Sequence, residues 1–166
     1  MEVEQSKLAG ADLRHADIVA LGSDGQMVLL VEAKATKLKT RGAKCTVISQ
    51  IKSYLQAANT DIPFIMIVDL ENIEIFQENS DNLPAEPIAS LKTAEVLGHY
   101  DAEFNERRIF EPYLTALVEA WLRDLAYHWK SQKPPAAEQL AAIGLLQQLE
   151  GGTTQSEVAL GGGTLR

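Results

Sequence analysis

The chain has 166 residues, 46% of them hydrophobic and 23% charged, which is ordinary for one globular domain with a sizeable core. Its net charge of −8 argues against strong sequence-independent binding of nucleic acid over the whole surface, and its single cysteine, Cys45, excludes an internal disulfide. The chain shows no secretory signal and no apolar run long enough to span a membrane, so we expect a cytoplasmic protein with no membrane partner.

Two apolar runs, 16–21 and 27–34, flank the pair Asp24–Gly25. Asp-Gly between apolar runs is the strongest short-range signal for a β-hairpin, here with a two-residue type I′ loop. We therefore expect strands over 16–22 and 26–34. The cross-strand pairs that follow from this loop are Leu21–Val28, Val19–Leu30 and Asp17–Glu32.

In this register Asp17 and Glu32 point to the same face with Cβ atoms roughly 4.5–5.5 Å apart, and Lys34 joins that face. Carboxylates pressed together in a partly desolvated site favour a proton or a cation between them. Oxygen ligands suit Mg²⁺ or Mn²⁺, and Lys34 could hold or deprotonate a water or stabilise charge on a phosphate. The alternative is an edge hairpin whose polar ends simply reach solvent.

The segment 33–60 contains no Asp or Glu and carries a charge of +6, which leaves −14 for the rest of the chain. Because this basic segment includes Lys34, a phosphate backbone that approaches the carboxylates could meet it there. The alternative is a solvated loop that compensates the acidic remainder. The candidate nucleic-acid contacts are Lys37, Lys39, Arg41, Lys44 and Lys52.

Beyond the hairpin, the hydrophobic pattern predicts one more helix and two more strands. The order strand-strand-helix-strand-strand predicts an α/β domain with a mixed sheet. The predicted elements are a loop over 37–43, a helix over 46–59, a buried strand over 64–68, an antiparallel strand over 73–76, and a loop over 77–105 with a short helix near 90–97.

The C-terminal third is predicted to be helical up to residue 150. Pro112 suits the first turn of a long helix whose apolar stripe is typical of packing on a sheet, although its tryptophans also allow a dimer interface. A final helix is expected over 136–150, and the glycine-rich segment 151–166 is expected to be a disordered tail. The stripe comprises Leu114, Leu117, Val118, Trp121, Leu122, Leu125 and Trp129.

Asp17, the triplet Glu32-Ala33-Lys34 and the pair Gln50-x-x-x-Tyr54 together resemble the PD-(D/E)XK nuclease superfamily, which has the restriction-endonuclease-like fold. The last pair is similar to that of the RecB-like exonuclease branch. The resemblance covers residues 12–77. It implies that Asp17 and Glu32 are metal ligands together with the Ala33 carbonyl, that Lys34 is catalytic, and that Gln50 and Tyr54 orient the site or contact substrate.

Many members of that superfamily also place a glutamate on a helix before the first strand. Here the acidic residues ahead of that strand are Glu2, Glu4 and Asp12. Either a very short helix supplies one of them or this ligand is absent.

We therefore expect a single restriction-endonuclease-like α/β domain over 1–150, with a core over 12–77 and a helical extension over 106–150. The leading function is hydrolysis of nucleic-acid phosphodiester bonds with Mg²⁺ (or Mn²⁺), and DNA is the expected substrate. One alternative is a catalytically inactive domain of the same fold that acts as a homodimeric interaction module through its C-terminal helices. A third possibility is a metal-dependent hydrolase of small phosphorylated molecules.

Overall fold

The computed structural model describes residues 15–36, 41–57, 59–77 and 86–159. Within these ranges six strands form one mixed sheet, in which β2 and β3 are parallel and the other neighbours are antiparallel. The strands are β1 (His15–Leu21), β2 (Met27–Ala33), β3 (Phe64–Val68), β4 (Asn72–Gln77), β5 (Ala89–Lys92) and β6 (Thr153–Ala159). Their order across the sheet is β5-β4-β3-β2-β1-β6.

Helices cover both faces of this sheet. Helix α1 packs one apolar stripe on the first face, and helix α3 packs a longer stripe on the second. The burial of apolar surface on both sides provides the main driving force for this layered arrangement. The helices are α1 (Arg41–Ala57), α2 (Thr93–Leu97), α3 (Glu111–Tyr127), α4 (Ala137–Ala142) and α5 (Leu145–Leu149). The predicted fold class is confirmed: this is a mixed α/β sheet flanked by helices, consistent with a restriction-endonuclease-like fold.

The loop between β1 and β2 has three residues, 23–25, and the predicted two-residue type I′ loop is wrong. The Gly22 amide donates to the Gln26 carbonyl at 2.9 Å, and the Gly25 amide donates to the Gly22 carbonyl at 2.9 Å. Gly25 has φ 83°, which is the left-handed conformation that closes a three-residue hairpin after a type I turn. Asp-Gly marks the hairpin correctly, but the glycine closes a longer loop.

A bulge in β2 restores the predicted register beyond that loop. Leu21 pairs with Met27 and not with Val28, so the extra residue lies in β2. The added residue offsets the longer loop, and Val19 pairs with Leu30 as predicted. The longer loop and the bulge therefore offset each other, and the rest of the β1–β2 ladder has the predicted register.

The following elements match the prediction in type, with shifted boundaries; helix α1, for example, ends at Ala57, two residues before its predicted end. Helix α1 begins at Arg41, so residues 41–43, predicted as loop, are helical, and residues 37–40 lie outside the described part. Strand β3 has its predicted bounds, and β4 pairs antiparallel to it as predicted. In the region predicted as loop, β5 is an additional strand, and α2 corresponds to the predicted short helix.

The long apolar stripe lies in the core. Its first six members are buried on α3, and the Trp121 indole N–H also donates to the Pro135 carbonyl at 2.9 Å. Trp129 lies beyond the end of the helix at Tyr127 and is half exposed. The predicted packing on the sheet is confirmed, and the homodimer stays a prediction.

The C-terminal segment corrects two predictions. The final helix is not continuous over 136–150, because Gly144 at φ 84° separates α4 from α5. Residues 153–159, predicted to be a disordered tail, form β6 and pair antiparallel with β1. Thr154 donates to Glu119 on α3 at 2.7 Å, which ties this polar strand to the helix layer. Residues 160–166 lie outside the described part.

The entry into β6 gives a test of its place in the sheet. A Cβ atom on Gly152 would lie 1.8 Å from the Leu21 carbonyl oxygen, so Gly152→Ala must push β6 away from β1. We expect the free energy of unfolding to fall by about 2 kcal/mol or more, measured by urea denaturation.

Gly144→Ala is the matched control. A Cβ atom there meets nothing within 4 Å, so only the left-handed backbone at φ 84° opposes it, at about 1–2 kcal/mol. Equal stability of wild type and Gly152→Ala would contradict the close approach of these two strands.

Candidate functional site

The candidate site begins where β1 and β2 separate. Their described backbone pairing ends at Ile18–Val31, and the Ala33 amide donates instead to Asp17 Oδ2 at 2.7 Å. The carboxylate of Asp17 thus continues the ladder and is fixed at the end of the hairpin. Continued by one pair, the same register places Asp17 opposite Glu32, and the two carboxyl groups lie close enough to shift each other's pKa. The structure therefore brings together the two residues that the sequence singled out as metal ligands.

Glu32 is the buried member of this pair. Its side chain is 3% exposed, and its Oε2 atom is buried with no hydrogen-bond partner. Burial, and to a lesser extent the neighbouring charge of Asp17, together raise the pKa of Glu32 to about 8, although Lys34 opposes the shift. Burial also raises the pKa of Asp17, against the Ala33 amide and Lys34, which both favour the ionised form. The site therefore holds a carboxylate pair that favours a proton or a cation.

Lys34 directly follows β2 and lies beside the pair. Its backbone amide donates to the Val68 carbonyl at 2.8 Å, which fixes the residue at the end of the parallel β2–β3 ladder. Its side chain is half-buried, and its charge acts on both Asp17 and Glu32. The three predicted residues thus converge at one end of the sheet.

Glu111, the first residue of α3, also reaches this site and was not predicted. Its Oε2 atom accepts a hydrogen bond from the Ala35 amide at 3.2 Å, across 76 positions of sequence. Its charge contributes to the raised pKa of both Asp17 and Glu32. With Asp17 it also lines a cavity of about 370 Å³ between α3 and β6. No local sequence pattern marks Glu111, because only the packing of α3 brings it here.

The residues predicted on α1 are described only in part. Gln50 is exposed, on the side of the helix away from the buried Ile51 and Leu55. The side chain of Tyr54 lies outside the described part of the structure. Their predicted roles in orienting the site or contacting substrate stay predictions.

The predicted basic contacts are also only partly described. Lys37 and Lys39 lie outside the described residues, and so do the side chains of Arg41 and Lys44, whose backbone belongs to α1. Lys52 is 8% exposed, whereas a contact with phosphate requires an accessible ammonium group. The basic segment therefore stays a prediction, without support from Lys52.

Asp17 and Glu32 fit a small, hard cation that keeps much of its hydration shell. Among the residues that the structure describes, no three His, Cys, Asp or Glu side chains converge closely enough to hold a metal ion. Mg²⁺ usually takes only one or two protein carboxylates and keeps several waters, so a pair is enough. The unpartnered, buried Oε2 atom of Glu32 is the kind of oxygen that such a cation would satisfy.

A family model related to restriction enzymes matches the N-terminal part of the chain, which includes the candidate site residues Asp17, Glu32 and Lys34. The model of the family described as "Type I restriction enzyme R protein N terminus (HSDR_N)" matches residues 1–91. The chain belongs to this family. Comparisons with the curated proteins and with the solved structures give no match.

Membership of the R protein N-terminus family indicates a DNA-related function. The match includes Asp17, Glu32 and Lys34 and ends before Glu111 and the whole of α3. The family thus accounts for the hairpin and for most of the sheet. None of the helices in the described part of the chain is both long and apolar enough to cross a membrane.

The raised pKa of Glu32 predicts a stability that depends on pH. The folded protein binds the Glu32 proton more tightly than the unfolded chain does, so the stability from this group is present below pH 4.5 and is lost as the pH rises towards 8. Glu32→Gln removes the charge and keeps the shape. At pH 9 and without divalent cations, we expect this variant to exceed wild type by at least about 2 kcal/mol in free energy of unfolding.

At pH 4 we expect the same two proteins to differ by less than about 0.5 kcal/mol, because both side chains are then neutral. Glu106→Gln, at an exposed glutamate, is the control and should leave stability unchanged at both values of pH. Urea unfolding measures all three proteins. A wild type that is as stable as Glu32→Gln at pH 9 would contradict the buried-carboxyl account.

Proposed function

We propose that this chain is a metal-dependent nuclease that hydrolyses phosphodiester bonds of DNA. The observation that carries the proposal is the buried Glu32 oxygen without a hydrogen-bond partner, beside Asp17 at the open end of the hairpin. Membership of a restriction-enzyme family supports DNA as the substrate. Lys34 adds a cation within range of both carboxylates, where charge on a reacting phosphate would develop.

Asp17, Glu32 and the Ala33 carbonyl would hold Mg²⁺ (or Mn²⁺). When bound, the ion supplies polarisation of the phosphate and a water of lowered pKa. Asp17 is already oriented by the Ala33 amide at 2.7 Å, so little reorganisation is needed on its side. Glu32 must lose its proton to become a ligand, and the burial that raises its pKa makes a cation an effective replacement for that proton.

Lys34 would act on the reacting groups directly. Its half-buried ammonium can orient the attacking water and stabilise negative charge on the phosphate oxygens. Gln50 and Tyr54 would position the substrate from α1, as the resemblance to the RecB-like branch implies. Glu111 would act from outside the set of residues that hold the ion. It accepts the hydrogen bond of the Ala35 amide and adds negative charge to the site.

A second candidate function is a catalytically inactive domain of the same fold that works as an interaction module. Two aromatic side chains at the end of α3, Tyr127 and Trp129, are about half exposed, and this favours the second candidate. The helical layer from α3 to α5 would then carry the function through contacts with a partner. Metal binding separates the two candidates, because the inactive module needs none.

The first test is calorimetric titration with Mg²⁺ and Mn²⁺. We expect binding that Asp17→Asn and Glu32→Gln each abolish, and that Glu106→Gln preserves. Because the pKa of Glu32 lies at about 8, binding at pH 7 should release roughly one proton, seen as a heat that varies with the ionisation enthalpy of the buffer. No binding at millimolar metal would favour the inactive module.

The second test is cleavage of DNA by a variant without the ammonium group. Lys34→Met keeps the length of the side chain, and we expect cleavage of single- and double-stranded DNA to fall by about 100-fold or more while metal still binds. Lys133→Met, at an exposed lysine paired with Glu138, is the control and should cleave normally. Hydrolysis of small phosphate esters without cleavage of DNA would point instead to a hydrolase of small phosphorylated molecules.

A further inference from the structure

A second cavity, of about 600 Å³, opens beside the candidate site and has basic walls. It begins at Ala35, one residue after Lys34, and extends to the segment before α3. We call it the basic cavity. Its charged lining residues are Lys92, Arg107, Arg108 and Glu71.

We propose that the basic cavity binds the phosphate backbone of a single-stranded DNA segment, with one base stacked on Phe110. This inference rests on the proposed function and deepens it, because it names the form of the substrate and the path by which it reaches Lys34. The cations of the cavity and Phe110 lie outside the predicted basic segment 33–60.

The position of the basic cavity supports this path. The hydrogen bond from the Ala35 amide to Glu111 joins the end of β2 to the start of α3 at 3.2 Å. Ala35 is therefore a shared boundary: the carboxylate pair and Lys34 lie on one side, and the basic cavity lies on the other. A strand bound in the cavity can continue directly into the candidate site.

The charge of the basic cavity suits a polyanion. The lining holds three cations, Lys92, Arg107 and Arg108, and one carboxylate, Glu71, in a chain of net charge −8. Because two carboxylates outside the lining pair with Arg107, the positive charge of the cavity comes mainly from Lys92 and Arg108. Lys92 and Arg108 are exposed. Arg107 is oriented by ion pairs to Asp101 at 3.2 Å and Glu103 at 2.7 Å, and its side chain remains 45% exposed. A guanidinium has five N–H donors, so Arg107 keeps donors for a phosphate.

An exposed aromatic side chain beside the lining residue Arg108 favours a single strand over a duplex. Phe110 is 60% exposed, and the Arg108 guanidinium lies 5.2 Å from its ring centroid. An aromatic ring next to an arginine is the usual platform on which proteins stack unpaired bases, and the stack does not depend on sequence. In a duplex the base faces are already stacked on each other, so a single strand uses this platform and a duplex does not.

The test is fluorescence anisotropy with a labelled 20-nucleotide single strand and the matching duplex. Both are titrated with the Lys34→Met protein in Ca²⁺, so that cleavage does not interfere. Adding Lys92→Ala and Arg108→Ala should weaken single-strand binding by about 10-fold or more, and should reduce the slope of log affinity against log salt by about 0.7 for each cation. Phe110→Ala should weaken it by about 5- to 100-fold with little change in that slope.

Controls come from the opposite end of α3, about 25 Å away for a 17-residue helix. Lys130→Ala with Lys133→Ala removes two exposed cations, and Tyr127→Ala removes an aromatic that is 52% exposed. Each should leave single-strand affinity and its salt slope unchanged. Urea unfolding of every variant confirms that the fold persists.

The outcomes separate this inference from the proposed function. The inference would be overturned if the cavity variants bind single strands as well as their controls do, or if no single-strand binding is seen at all. Normal cleavage of DNA in either case would leave the proposed nuclease function intact. If the cavity variants lose single-strand binding while the wild type binds metal but cleaves no DNA, the inference is supported and the proposed nuclease function is overturned. Equal weakening of duplex and single-strand binding by Phe110→Ala would overturn the assignment to a single strand.

Discussion

The burial of Glu32 beside Asp17 is the constraint on which the rest of the site depends. An ionised carboxylate with an unpartnered oxygen is costly in the interior, and a second carboxylate next to it adds repulsion. The fold maintains the pair because Asp17 is bound to the Ala33 amide, while Glu32 belongs to a strand paired on both sides. Such a site is destabilising when empty and charged, and it becomes favourable when a proton or a cation occupies it. Features of this kind are typical of functional sites, where groups that lower the stability of the fold are retained for binding or catalysis.

The C-terminal helices and β6 complete the candidate site that begins at the end of the β1–β2 hairpin. Helix α3 covers one face of the sheet, and its first residue, Glu111, contacts the end of β2. The same helix meets β6 through Glu119 and Thr154, so β6 extends the sheet next to β1. The residues beyond the family match therefore shape both cavities that flank the candidate site. The segment 106–159 thus has a direct part in the geometry of the site.

The sequence predicted the elements whose signals are local, and it missed those that depend on tertiary contacts. The apolar runs of β1, β2 and β3 and the stripe of α3 have periodic patterns that burial confirms. Strand β6 has a polar sequence between glycines, so only its pairing with β1 reveals it. The pairing of Asp17 with Glu32 was predicted correctly only because the longer loop and the bulge in β2 offset each other. No local sequence pattern shows either departure. Glu111 could not be found, since 76 positions separate it from its contact at Ala35.

The central claim is that Asp17 and Glu32 form a coupled carboxylate pair that a divalent cation can occupy. NMR titration of the side-chain carboxyl carbons, with and without Mg²⁺, tests this claim most directly. Without the ion, the account predicts that Glu32 titrates near pH 8. With Mg²⁺, it predicts that the same carboxyl group titrates several pH units lower, because the cation replaces the proton. A Glu32 carboxyl that titrates near pH 4.5 in both conditions would contradict the account.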